Sequence, residues 1–168
     1  VFWCDWGKNI DIGLATACKE IKNVLWEDCD IIHGSSINIA ISCGQWADIH
    51  DIRYQRIHIE YTKGTEKPVL QKNDEELYES DGITIIPTLI RITDQRRNWQ
   101  GNIASELEEP KIRNIEFDSI YLHVDEEIDQ VPAITIEKCI ERSDFANISI
   151  QNVFMNGKPF DTSSISIS

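Results

Sequence analysis

Ile49-His-Asp-Ile-Arg-Tyr-Gln-Arg-Ile-His-Ile59 decides the reading of this chain, because its pattern returns three more times. The other copies are Ile21-Lys-Asn-Val-Leu-Trp-Glu-Asp-Cys-Asp-Ile31, Ile112-Arg-Asn-Ile-Glu-Phe-Asp-Ser-Ile-Tyr-Leu122 and Phe145-Ala-Asn-Ile-Ser-Ile-Gln-Asn-Val-Phe-Met155. Every copy is apolar at positions 1, 4, 6, 9 and 11 and has Asn or Asp at position 3. Self-similarity of this kind marks a repeat architecture. Positions 4 and 6 alternate, as do 9 and 11, which is strand spacing, and the two extra residues between 6 and 9 leave room for a bend. A third alternating element follows each copy, at Ile39-Ala40-Ile41, Ile90-Arg91-Ile92, Ile134-Thr135-Ile136 and Ile165-Ser166-Ile167, and Ile10-Asp11-Ile12 supplies the same element near the start. Three short strands per coil, stacked coil on coil with Ile, Val and aromatic side chains inside, predict an all-β chain of about five coils, a parallel β-helix.

The framework assigns several residues at once. Asn23, Asp51, Asn114 and Asn147 are expected to stack at one corner, where a short polar side chain tolerates the bend and bonds neighbouring backbone. The sequon Asn147-Ile148-Ser149 therefore reads as framework. Trp26, Tyr54 and Phe117 share inward position 6 and form an aromatic row inside the coil, and Cys29 at inward position 9 packs as a small apolar residue.

With 168 residues and 41% apolar content, residues 1–168 read as a single domain. Residues 60–88 and 94–110 interrupt the pattern and read as insertions on one face of the stack, suited to walling a groove. The net charge of -13 argues against nucleic acid and against an anionic membrane, both of which need clustered Lys and Arg. No stretch of 18 apolar residues occurs, so no membrane partner is expected. Val1-Phe2-Trp3-Cys4 falls in the middle of a coil without the polar cap that such a stack needs. The chain is thus expected to be the C-terminal part of a longer β-helix, and the end exposing Val1, Phe2 and Trp3 to pair with a second copy or with the preceding segment. Cys4, Cys18, Cys29, Cys43 and Cys139 include no CxxC pair and no His at ligand spacing, so neither a zinc site nor another metal or cofactor is expected. Of the histidines, His33 follows a strand, His50 and His58 fall on outward positions and His123 follows Leu122; none is placed as a nucleophile's base.

Trp6-Gly7-Lys8-Asn9-Ile10-Asp11-Ile12-Gly13, then Ile37-Asn38-Ile39-Ala40, then Gly44 through Tyr54-Gln55-Arg56-Ile57, resembles the C-terminal half of the right-handed parallel β-helix glycoside hydrolases. The polygalacturonases of family 28 are the nearest pattern, with the dextranase and isopullulanase group of family 49 close behind. The resemblance implies a right-handed, pectin lyase-like stack in a secreted or periplasmic protein that hydrolyses a polysaccharide or oligosaccharide with inversion. Inversion needs one carboxylic acid for the leaving oxygen and one carboxylate to activate water, about 6.5–9.5 Å apart. In the family pattern the principal aspartates precede the Gly-His-Gly motif by one coil, which here would precede Val1. Lys8 stands where that motif has His, Asn9 where it has Gly and Asp11 where it has Ser, and the uronate-binding Arg-Ile-Lys motif corresponds to Asn38-Ile39-Ala40. Loss of those cations removes the partners of an acidic sugar, and a neutral glycan becomes the expected substrate, with pectin kept open as the weaker alternative because Arg91, one coil from Ala40 on the same outward row, would restore a cation.

The outward row of the third element is the expected site. Asp11, Ala40, Arg91, Thr135 and Ser166 should stack in register, with Lys8, Asn38 and Ser42 beside them, and Asp11 should stand two coils, about 10 Å, from Arg91. Asp11 is the first candidate for water activation and Asp5 the second. Lys8, Asn9, Asn38 and Arg91 are candidate sugar contacts. Trp6 and Trp99 are candidate stacking platforms, weighed together with Trp3 and Trp46, since indole faces pair with the apolar faces of sugars. Two other readings stay open: a noncatalytic carbohydrate-binding β-helix, and a polysaccharide lyase, which would need Ca²⁺ ligands and a basic residue beside a uronate.

Overall fold

The computed structural model describes residues 1–3, 8–14, 16–34, 36–61, 69–70, 79–80, 88–95, 109–128, 130–161 and 165–167, and every regular element among them is a β-strand. In chain order these are β1 (Phe2–Trp3), β2 (Lys8–Ile12), β3 (Ala17–Ile32), β4 (Ile37–Ser42), β5 (Trp46–Tyr61), β6 (Val69–Leu70), β7 (Glu79–Ser80), β8 (Thr88–Thr93), β9 (Lys111–Val124), β10 (Ala133–Glu137), β11 (Asp144–Met155), β12 (Lys158–Pro159) and β13 (Ser166–Ile167). Sheet A has the order β1-β3-β5-β9-β11-β12 and sheet B the order β2-β4-β8-β10-β13. Within sheet A all pairs are parallel except the terminal β11–β12 pair, and sheet B is parallel throughout. The chain alternates between them, so each new strand lands beside its predecessor in its own sheet. That alternation supplies the crossover that parallel neighbours require, since a tight hairpin cannot join them. β6 and β7 form a separate antiparallel pair inside the 60–88 insertion; most of that insertion, and most of 94–110, lies outside the described residues.

The register is the repeat itself. Ile21, Ile49, Ile112 and Phe145 form one row across successive strands, Val24, Ile52, Ile115 and Ile148 a second, and Cys29, Ile57, Ile120 and Val153 a third. Sheet B does the same with Ile10, Ile39, Ile90 and Ile134. Because parallel strands put equivalent positions side by side, an apolar position in one copy is buried by the same position in the next. Ile39, Ile41, Ile49, Ile57, Ile90, Ile92, Ile112, Ile120 and Ile134 are completely buried in one core that draws on both sheets. Each such side chain contributes roughly 1.5–3 kcal/mol relative to exposure. The position 6 row is aromatic as expected: Trp26, Tyr54 and Phe117 are in register, and the Tyr54 and Phe117 rings stack at 4.8 Å and 3°. Ring separation there equals the strand spacing of ~4.8 Å, so backbone pairing sets the stack.

Two expectations change. The repeat copies do not break into short strands; each runs as one continuous strand of sheet A, bent twice. The first bend is the position 3 residue and the second the position 8 residue, and all eight have positive φ: Asn23 58°, Asp51 56°, Asn114 54°, Asn147 54°, Asp28 53°, Arg56 53°, Ser119 59° and Asn152 53°. Because the bends occur at the same positions in every copy, pairing skips the bend residues and resumes beyond them in the same register. The left-handed conformation costs an ordinary L-residue roughly 1–2 kcal/mol, and Asn and Asp offset it with local hydrogen bonds. Three of the four expected corner residues are joined, side chain to side chain and not to backbone: Asn147 Nδ2 donates to Asn114 Oδ1 at 3.0 Å, and Asn114 Nδ2 donates to Asp51 Oδ1 at 2.9 Å. The second correction concerns the first strand. Val1 is 84% exposed, but Phe2 packs against the core and meets Trp26 edge-on, with ring centroids 5.9 Å apart at 68°.

Candidate carbohydrate-contacting face

Alternation along the strands of sheet B sends Ile10, Ile12, Ile39 and Ile41 into the core and their neighbours Asp11, Ala40 and Arg91 to the other side. The expected row is in register, Asp11 against Ala40, Ala40 against Arg91, Arg91 against Thr135 and Thr135 against Ser166. Lys8 bridges two strands: its ammonium lies 3.0 Å from Asp11 Oδ2 and donates to Ser42 Oγ at 2.6 Å. Asn9 Nδ2 donates to Asn38 Oδ1 at 3.1 Å. Further along the row, Arg91 Nη2 donates to Glu137 Oε2 at 2.9 Å. Both cations described on these strands, Lys8 and Arg91, are thereby matched by a carboxylate.

The row is less open than expected. Asn38, Ala40 and Ser42 are buried although they point away from the core, while Lys8, Asn9, Asp11, Arg91, Thr135 and Glu137 are partly exposed. Within this buried surface Asn9 Oδ1, Asp11 Oδ1, Asn38 Nδ2, Arg91 Nε and Thr135 Oγ1 have no hydrogen-bond partner. Leaving such an atom unsatisfied costs about 1–3 kcal/mol. Five on one face make a file of spare acceptors and donors.

As acid–base machinery the described face is incomplete. Asp11 and Glu137 are the carboxylates on its strands, and they sit three strands apart, about 14 Å at β-sheet spacing, beyond the range for an inverting pair. Asp5, Trp6 and Trp99 lie outside the described residues, as does Cys4. Trp46 opens β5 half-buried with Nε1 inside and unpartnered, which leaves it packing and not offering an open platform. Asp94 is buried and serves the framework: its carboxylate accepts from the Cys139 and Ile140 amides and from Ser143 Oγ.

His50, placed outward by the pattern, is nevertheless buried. Its Nδ1 shares a hydrogen bond of 2.7 Å with Asp51 Oδ2, and its Nε2 lies 3.6 Å from Glu20. Hydrogen bonds from Asn114 and His50 hold the Asp51 carboxyl below the usual range, and Arg113 does the same for Asp48. Burial pushes the Cys43 thiol up to about 11 and raises that of Cys29 as well, so both are inert packing groups. Among the described residues no three His, Cys, Asp or Glu side chains are placed to hold a metal.

Sequence reasoning overlooked position 10, where an outward row stacks His58 on Tyr121 at 4.8 Å and Tyr121 on Phe154 at 5.6 Å. Its signal was an aromatic ring in three of four copies. The rings occupy one another's faces, so the row braces the sheet and does not present a sugar platform. No protein-family model matches the chain, and no curated protein or solved structure matches it.

Proposed function

We propose that the chain is a right-handed parallel β-helix of the pectin lyase-like kind, each passage through sheet B and sheet A making one coil. We propose further that it belongs to a glycoside hydrolase acting on a neutral polysaccharide laid along the outward face of sheet B. The observation that carries this reading is the state of Asp11. One carboxylate oxygen is fixed by Lys8 and the other is buried without a partner, which suits it to orient a water molecule or accept from a sugar hydroxyl. The unpartnered Asn38 Nδ2, Arg91 Nε and Thr135 Oγ1 add donors suited to hydroxyl oxygens. Lys8 and Arg91, the cations described on the strands of this face, are already paired with Asp11 and Glu137, which disfavours a uronate.

The test is turnover by the full-length protein on dextran, pullulan and polygalacturonate, with the released anomer followed by NMR. Hydrolysis of a neutral polymer with inversion is expected, and Asp11→Asn is expected to lower turnover by roughly 10²-fold or more, as loss of a general base does. Retention, or equal turnover by Asp11→Asn, would refute the assignment. A second reading, a noncatalytic carbohydrate-binding β-helix, is favoured by the 14 Å gap, about three strand spacings, between Asp11 and Glu137. It predicts binding without turnover on every polymer. A lyase is disfavoured, because Lys8 and Arg91, the basic residues described on the strands of this face, are tied to carboxylates.

A further inference from the structure

Arg91 and Glu137 meet across β8 and β10 in a way that the strand register does not by itself require. Thr135 stands directly opposite Arg91, and Glu137, two residues further along β10, stands opposite Thr93. The guanidinium bypasses Thr135, whose Oγ1 has no hydrogen-bond partner among the described residues, and Nη2 donates to Glu137 Oε2 at 2.9 Å. That diagonal is within the reach of long side chains. The counterparts of Glu137 on the two preceding strands are Thr93 and Ser42, so its carboxylate follows two hydroxyls in the row.

The contact is one hydrogen bond between partly exposed side chains, 24% and 32% accessible, and a pair of that kind contributes little to stability. Its effect on the charge of the face is larger. Lys8 and Asp11 offset each other two strands away, about 10 Å from Arg91 at β-sheet spacing. Glu137 does the same for Arg91, so the charges described on the strands of sheet B sum to zero. Without Glu137 one positive charge would remain, on a guanidinium whose planar fork matches a carboxylate.

We infer that Glu137 is a specificity-determining residue of the sheet B face: it occupies Arg91 and adds a negative charge, so that a neutral glycan is accepted and a uronate rejected. The inference rests on the carbohydrate reading above and gives Glu137 no part in bond cleavage. Discrimination of this sort opposes the wrong ligand as well as favouring the right one. Calorimetric titration of the full-length protein with isomaltohexaose and with hexagalacturonate, at low salt so that charge effects are least screened, tests it. The wild type should bind isomaltohexaose in preference to hexagalacturonate. Glu137→Gln keeps an oxygen that can accept from Arg91 but removes the charge, and should shift the ratio of the two affinities towards the uronate by roughly tenfold or more, as a gained charge-assisted hydrogen bond does. Adding Arg91→Gln to that variant should abolish the shift, and Glu116→Gln, which removes one negative charge beside Arg53 on sheet A, should produce none. Isomaltohexaose binding by the wild type with no shift in Glu137→Gln would overturn this inference and leave the sheet B reading standing. A shift that survives Arg91→Gln, or that Glu116→Gln reproduces, would trace to overall charge and overturn it as well. No binding of isomaltohexaose by the wild type would overturn the carbohydrate reading and this inference with it.

Discussion

Asn147 and Ser149 are two residues apart in β11 and both exposed, but only Asn147 has a positive φ, 54°. Replacing each by Gly and by Val should therefore give opposite orders of stability. At 147 both replacements lose the bond from Nδ2 to Asn114 Oδ1, 3.0 Å, which at an exposed site is about 0.5–1 kcal/mol. Valine also carries the left-handed penalty of roughly 1–2 kcal/mol, against which glycine's looser unfolded chain offsets about 0.4–1 kcal/mol. Glycine should win at 147 by about 1 kcal/mol. At 149 the backbone is ordinary strand, where Val exceeds Gly by up to about 1 kcal/mol. For a chain of this length 1 kcal/mol moves Tm by about 2–4 °C, which is readable by calorimetry or circular dichroism. If Asn147→Val melts above Asn147→Gly, the bend is not built on left-handed residues and the account of the corner is wrong.

Phe117→Ala removes a fully buried ring from the centre of the position 6 row and should cost about 3–5 kcal/mol, seen as a fall in the urea midpoint; a loss under 1 kcal/mol would mean the row is not packed as described. Acid should destabilise the fold: Asp48, held down by Arg113, and Asp51, held down by Asn114 and His50, have folded values below their ordinary 3.8. A depressed carboxyl stabilises the folded state above its unfolded pKa and loses that contribution as pH falls through the folded value. Tm should stay level down to about pH 5 and fall below about pH 4, with a shallower fall in Asp48→Asn; an equal fall in that variant would place the effect elsewhere.

How much of this was legible follows from the stacking. In parallel in-register sheets a residue's neighbour is its own counterpart one repeat away, so aligning the copies predicted which side chains touch, as with Tyr54 and Phe117 or Asn114 and Asn147. The same logic placed Asp11, Ala40, Arg91 and Thr135 in one row. The bend at position 8 was legible only as spare length, because Asp28, Arg56, Ser119 and Asn152 share no chemistry; Arg56 there is held by Asp28 and Glu27 of the adjacent strand. Burial of the outward row was hidden for a similar reason. It depends on side chains reaching between strands, as Lys8 does over Ser42, and periodicity within a strand does not encode such reach. The β6–β7 pair is two residues per strand, too short to leave an alternating pattern.

Amide chemical-shift mapping of isotope-labelled protein with isomaltohexaose and with hexagalacturonate tests the central claim most directly. The account predicts shifts at Asp11, Ser42, Arg91 and Thr135 with the neutral sugar and none there with the uronate. Silence of those four amides towards isomaltohexaose, or their response to hexagalacturonate alone, would contradict it.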